Sequence, residues 1–278
     1  MKIGIVGLGY VGKAMYNLFK DHYEVIYNDP FIKDEEVFKN YGTSVSKDEL
    51  NKCDVSVVCV PTPMKVDKNN ECDLSYVESA IGWLETPLIL LKSTIEIGTT
   101  DRLIKETGKP IVFSPEYCGE SKHYTANKFT TMIKETPFFI FGGAPEHTNA
   151  MINLFMPVTG PSKFYRSTTA LEAEITKYME NTFFGLKVTF CYEMDQICKS
   201  FGANFNEVRD LWLLDPRICK SHTGVMNTNE EPFSGKCLPK DINALYQGAL
   251  KAGYDAQYIK AIIENNSRIG EIRRGASK

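Results

Sequence analysis

The segment FSGKCLPKDINAL, residues 233 to 245, sets Cys237 between Lys236 and Lys240 and just ahead of a proline. Proline is favoured at the first position of a helix, so PKDINALYQGAL predicts a helix opening at Pro239, with Cys237 just outside its N-terminus. That end of a helix is positive, and with two lysines beside it the thiol shifts toward thiolate, the form that acts as a nucleophile. The plainer alternative is a buried cysteine beside a turn. For the other seven cysteines that alternative is preferred. Cys53 and Cys59 flank or lie in a strand, Cys191 and Cys198 sit at helical spacing among apolar residues, and Cys72, Cys118 and Cys219 have no activating pattern. There is no CxxC unit, and neither the cysteines nor the four histidines have metal-site spacing, so free thiols and no metal are expected.

A second chemistry is written at the other end of the chain. IGIVGLGYVGKAMYNLF places Gly7, Gly9 and Gly12, with Tyr10 and Val11 between them, after a strand and at the opening of an amphipathic helix. In that context the first glycine permits the tight turn, the second admits a pyrophosphate to the backbone, and the third lets helix and strand pack closely. Asp29 closes the next apolar run at the distance suited to a ribose 2′-hydroxyl, and a carboxylate there would repel a 2′-phosphate. NAD is therefore favoured over NADP.

Three polar stretches end later strands, where ligands of doubly wound sheets bind. They are VPTP with Pro61 and Thr62, KSTIEIGTT with Thr94 and Thr99, and FSPEYCGES with Glu116 and Glu120. Locally, turn chemistry explains Thr62 and helix capping explains Thr94 and Thr99 equally well. Glu116 and Glu120 equally fit a solvated pair, four residues apart. Lys177 and Asn181 share that spacing on a predicted helix and so share a face, although a surface polar pair is the plainer account.

The elements that must position these residues change in texture near residue 165. Before it, short Val, Ile and Phe-rich runs alternate with helix-like segments, predicting a parallel sheet covered on both faces. After it, long helical stretches follow one another. The expected fold is α/β: a doubly wound, Rossmann-type NAD-binding domain over residues 1–165, then an all-helical domain over 166–278 that carries Cys237. Its long helix should begin near residue 169, capped by Ser167 or Thr168 with Glu172 in the first turns. The apolar positions of that helix exceed what one small domain buries, which predicts a homodimer. The net charge is −3 with interspersed signs, which argues against nucleic acid and a polybasic membrane patch. With no leader and no apolar run of membrane-spanning length in its 278 residues, the chain is expected to be cytoplasmic.

In order, GLGYVG, Asp29, VPTP, KSTIEIGTT, SPEYCGES, EITKYMENT, DPRI and GKCLPKD resemble the UDP-glucose/GDP-mannose dehydrogenase family over nearly the whole chain. The resemblance implies NAD-dependent oxidation of a nucleotide-sugar C6 alcohol to a carboxylate, with UDP-glucose the first sugar expected and UDP-N-acetyl sugars and GDP-mannose behind it. It assigns Thr94 and Asp241 to positioning a water that takes the hydroxyl proton, and Lys177 to stabilising the alkoxide. Cys237 would add to the resulting aldehyde, Lys177 and Asn181 would hold the thiohemiacetal oxygen, and a second oxidation would leave a thioester. Glu120 would serve its hydrolysis with Glu116 in support. Arg217 would reach the partner subunit's substrate, while Phe233 and Gly235 would contact the chain's own. Departures accompany the matches. The 278 residues stop at NNSRIGEIRRGASK before the family's third domain, which helps bind the nucleotide, leaving open a minimal enzyme, a split enzyme whose nucleotide-binding part is another chain, or a truncated piece of a longer one. Cys118, Gly119 and Cys219 also differ from the family's usual residues, and by the same resemblance the loop from Arg217 to Cys237 is longer and more acidic than is typical. A single-step β-hydroxyacid dehydrogenase and a non-catalytic NAD-binding subunit are the alternatives.

Overall fold

Continuous apolar runs suit strands covered on both faces. The computed structural model describes residues 1–65, 71–117, 132–226, 230–235 and 237–275. In it, six such runs become β1 (Lys2–Val6), β2 (Glu24–Asn28), β3 (Val55–Val58), β6 (Ile89–Leu91), β7 (Ile111–Phe113) and β8 (Phe138–Gly142) of one sheet. Between them β4 (Met64–Lys65) and β5 (Glu71–Cys72) form a separate two-stranded ribbon. The main sheet is ordered β2-β1-β3-β6-β7-β8-β9, so strand order reverses beside β1 and opens a crevice at the carboxyl ends of β1 and β3.

Two features differ from the expectation of a wholly parallel, six-run sheet. β8 runs antiparallel to β7. A seventh strand, β9 (Phe164–Thr168), pairs parallel with β8 at the sheet edge. An edge strand needs no apolar run, and here Phe164 is 78% exposed while only Tyr165 and Thr168 are partly covered.

Helices α1 (Tyr10–Phe19), α2 (Glu35–Tyr41), α3 (Lys47–Leu50), α4 (Ser75–Trp83), α5 (Thr99–Thr107) and α6 (Pro145–Thr159) connect the strands. Alternate strand residues feed two cores. Ile3, Ile5, Val57 and Leu90 pack with Met15 and Phe19 of α1 and Phe155 of α6. Val58, Ile89 and Leu91 pack with Val77 and Ile81 of α4 and Leu103 of α5. Both faces of the sheet are thus buried, as period-2 side-chain alternation requires.

The chain divides into two compact units, Met1–Pro63 with Cys72–Lys177, and Met64–Glu71 with Tyr178–Lys278. The boundary expected at residue 165 falls inside β9, whereas the packing changes hands at Lys177, within α7 (Ala170–Ser200). Thr169, rather than Ser167 or Thr168, makes the reciprocal cap of α7. Its hydroxyl accepts from Glu172 N at 3.2 Å, and the Glu172 carboxylate accepts from Thr169 N at 3.2 Å. The second unit adds α8 (Phe205–Trp212), α9 (Leu238–Lys251) and α10 (Gln257–Arg273). Phe233, Ile242 and Ile262 form one of its cores.

Candidate active site

In the first unit, the glycine loop has the form its spacing predicts. Gly7 has φ 86°, and a Cβ there would lie 3.0 Å from the carbonyl oxygen of Cys59; a Cβ at Gly12 would lie 2.0 Å from the Gly7 oxygen. At Gly9 a Cβ would meet nothing within 4 Å, so the space beside the loop is open to a ligand. No side chain caps α1, whose first turn of Tyr10, Val11 and Gly12 presents the backbone N–H groups and positive helix end that bind pyrophosphate. Asp29, after β2, accepts from Leu8 N at 2.8 Å and from Phe31 N at 3.0 Å. Its carboxylate thereby fixes the glycine loop and retains lone pairs for a ribose hydroxyl. The cradle fits NAD.

The strand-end loops of this unit are tied to one another. Thr62 Oγ1 donates to the Thr94 carbonyl at 2.6 Å, and Ser93 Oγ donates to the Val60 carbonyl at 2.7 Å. Pro61, between Val60 and Thr62, is exposed. Neither Thr94 nor Thr99 caps α5, because the residue at its N-terminal cap is Gly98, with φ 87° and no side chain to offer. Glu116 is not a solvated carboxylate. Its Oε1 accepts from Tyr117 N at 2.8 Å and its Oε2 lies 3.2 Å from Lys92 Nζ, both side chains being nearly buried. Lys92 also donates to the Pro115 carbonyl at 3.1 Å. Lys177 stands over the Tyr117 ring, 5.0 Å from its centroid. Glu120, Cys118 and Gly119 lie outside the described residues.

In the second unit, Cys237 is exposed and is the residue preceding α9, which opens at Leu238 with Pro239 second. Its carbonyl accepts from Asp241 N at 2.9 Å, placing the thiol residue and Asp241 one turn apart. Asp241, 1% exposed, accepts from Asn181 Nδ2 at 2.5 Å and pairs with Lys240 Nζ at 2.7 Å. Lys240, predicted to favour the thiolate, is thus directed at Asp241; Lys236 lies outside the described residues. The approach of α7 to α9 is set at Gly185, where a Cβ would meet Ile242 Cδ1 at 2.3 Å. Gly235 takes φ 85°, two residues before the thiol. Phe233 packs in the core rather than at a surface, and its backbone is clasped by the Asn266 side chain, with N to Oδ1 at 2.9 Å. Arg217 is exposed and its guanidinium forks onto Asp215, with Nε to Oδ1 at 3.0 Å.

Burial marks off three of the other thiols. It pushes Cys53 up to about 11 and raises Cys59 and Cys191, so these stay protonated. Three structural residues escaped the sequence reading: Lys92, Glu174 and Asn266. A lysine directly after the apolar run PLILL was the only local signal for Lys92; the partners of the other two lie far away in sequence.

Known proteins match the chain in two stretches. Residues 29–133 match the NAD binding domain of the UDP-glucose/GDP-mannose dehydrogenase family, and residues 171–268 match its central domain. UDP-glucose 6-dehydrogenase TuaD of Bacillus subtilis (strain 168) is 31% identical over 238 residues, covering 79% of this chain and 47% of that protein. A solved UDP-glucose dehydrogenase from the archaeon Pyrobaculum islandicum superposes with a TM-score of 0.79 at 22% identity, covering 96% of this chain and 68% of the other. The 3-hydroxyisobutyrate dehydrogenase of Mycobacterium tuberculosis shares the fold at a TM-score of 0.74 and 14% identity, covering 100% of this chain and 99% of its own. The chain spans about half the length of the curated relatives it matches.

Proposed function

This chain belongs to the UDP-glucose/GDP-mannose dehydrogenase family, and we propose that it is an NAD-dependent nucleotide-sugar dehydrogenase that carries a C6 alcohol to a carboxylate through Cys237. The observation that carries the proposal is an exposed thiol at the positive end of α9, one turn from a buried carboxylate held by Asn181. A one-step oxidation has no use for a nucleophile there. UDP-glucose is the first substrate to test.

Bound NAD supplies the hydride acceptor for each oxidation. In the first unit, Thr94 and Lys177 take the roles of orienting the alcohol and steadying its oxygen as its proton passes to a water. In the second, Cys237 adds to the aldehyde carbon, forming a C–S bond while the carbonyl oxygen becomes an oxyanion to which the Asn181 amide donates. Loss of hydride from that carbon leaves a thioester. Water then breaks the C–S bond, releasing the carboxylate and the thiol, with Glu120 as the base and Glu116 in support. Capture matters because a free aldehyde would diffuse or hydrate before spent cofactor exchanged. A homodimer is proposed for the working enzyme.

The test is NADH formed per UDP-glucose consumed, with Cys237→Ser alongside. Two per sugar in the parent and no more than one in the variant is the expected result. One per sugar in both would mean an oxidation that stops at the aldehyde without Cys237. Turnover of a β-hydroxyacid in place of the sugar, unchanged in the variant, would replace the proposal with a single-step hydroxyacid dehydrogenase. NAD binding without turnover, on any nucleotide sugar, would favour a binding-only subunit.

A further inference from the structure

We propose that Glu174 is a positioning residue, joining the loop that carries Thr94 to the first turns of α7; the proposal rests on the dehydrogenase reading above. All the groups concerned lie in the first unit. The loop leaves β6 at Lys92 and enters α5 at Thr99. Its start is pinned to the exit of β3 by the Ser93 and Thr62 hydroxyls. Its middle is pinned by Glu96, whose carboxylate accepts from Cys72 N at 3.2 Å. Its end has no local side-chain cap, because Gly98 occupies that place. The carboxylate of Glu174 supplies the cap from α7, with Oε2 accepting from Gly98 N at 2.5 Å and Oε1 from Thr100 N at 2.9 Å.

This is an expensive way to cap a short helix. A serine or aspartate N-cap commonly bonds the N–H two or three residues on, in water. At position 98, however, φ is 87°, where a side chain is strained, and the N–H of residue 98 itself also needs an acceptor. Glu174 is 1% exposed, and its burial raises the carboxyl above the ordinary glutamate range despite the bonds from Thr100 and Gly98. What the long-range cap adds is a mechanical link. Lys177 lies three residues beyond Glu174 on the same helix, so one carboxylate fixes the Thr94 loop to the turn bearing the lysine. Two N–H donors need two acceptor oxygens, which only the ionised acid provides fully.

Glu174→Gln tests this, because it keeps the shape but turns an NH2 group toward one of the two donors. Leu103→Ala, a core truncation in α5, serves as the purely structural comparator. Misplacement of the Thr94 loop should lower kcat by roughly 10–100-fold, leave the Kd for NAD within about twofold, and enlarge the primary isotope effect on kcat with C6-dideuterated UDP-glucose. Leu103→Ala should lower Tm without changing the isotope effect. Hydrogen exchange supplies a readout independent of turnover: the Gly98 and Thr100 amides and the turn around Lys177 should lose protection together in Glu174→Gln. Unchanged kcat and isotope effect in an otherwise active enzyme would overturn the proposal. Should the parent oxidise no sugar, the dehydrogenase reading fails separately, and exchange alone then decides: joint loss of protection supports the link, and unchanged protection at Lys177 overturns it.

Discussion

A thiol reacts as its thiolate, and a carboxylate binds two donors only when ionised, so single residues here can be sorted by what burial does to their protons. Burial holds Cys53, Cys59 and Cys191 in the neutral form, while Cys237 stands exposed at a helix end. Glu174 shows the opposite tension. Its raised carboxyl means that the folded chain keeps a proton where the unfolded chain has lost it. The stability this confers is complete below the ordinary glutamate value and is lost as pH rises through the higher folded value. Glutamine does not titrate, so urea unfolding of the parent and Glu174→Gln at successive pH values should show the parent losing ground to the variant as pH rises across that window. The reverse trend would mean that the bonds from Thr100 and Gly98 outweigh burial. Function and stability then pull in opposite directions at one side chain, since the two-donor cap needs the charge that folding disfavours.

At the level of elements, the decisive contact of the second unit is the crossing of α7 and α9. Asn181 and Asp241 can share a hydrogen bond because Gly185, one turn further along α7, lets Ile242 press against the helix. Gly185→Ala forces a methyl to within 2.3 Å of Ile242 Cδ1. Overpacking of that kind costs about 1–3 kcal/mol, against a gain of about 1 kcal/mol for replacing glycine inside a helix. We expect a net loss of stability in urea and lower turnover, both largely restored by adding Ile242→Val, which deletes the offending Cδ1. Failure of the second change to help would mean that the helices do not meet there. This crossing marks what the sequence could disclose. The strands β1, β2, β3, β6, β7 and β8 were legible because burial on both faces writes an apolar run, and the glycine loop because its turn, close packing and open side each demand a missing Cβ. β9 was not, since an edge strand carries no such run. Nor was Glu174, whose donors lie 74 and 76 residues away. The pairing of Asn181 with Asp241, 60 residues apart, had no local signature: spacing put Asn181 on a face with Lys177, but its role, and Asp241 altogether, came only through family resemblance.

For the molecule as a whole, the open question is what covers the apolar surface of the second unit. Met179, Phe183, Phe190 and Ile197 along α7 are exposed, as are Phe201, Leu211 and Leu214, and Trp212 lies 5.9 Å from Phe190. Soluble monomers rarely leave large contiguous apolar patches in water, and a two-fold copy of the same face is the commonest way to bury one. The proposed homodimer gives Arg217 its part: exposed, and steadied by Asp215, it would act on the partner's substrate rather than its own. Complementation of subunits tests dimer and role together. Cys237→Ser and Arg217→Ala, each feeble alone, should on mixing and subunit exchange form hybrid dimers in which one site unites an intact Cys237 with the partner's intact Arg217. Random exchange makes half the dimers hybrid with one sound site each, so activity should recover to about a quarter of the parent's. Gel filtration showing a monomer at working concentration would dispose of the dimer. A dimer whose mixed variants recover nothing would leave the interface standing and return Arg217 to its own subunit.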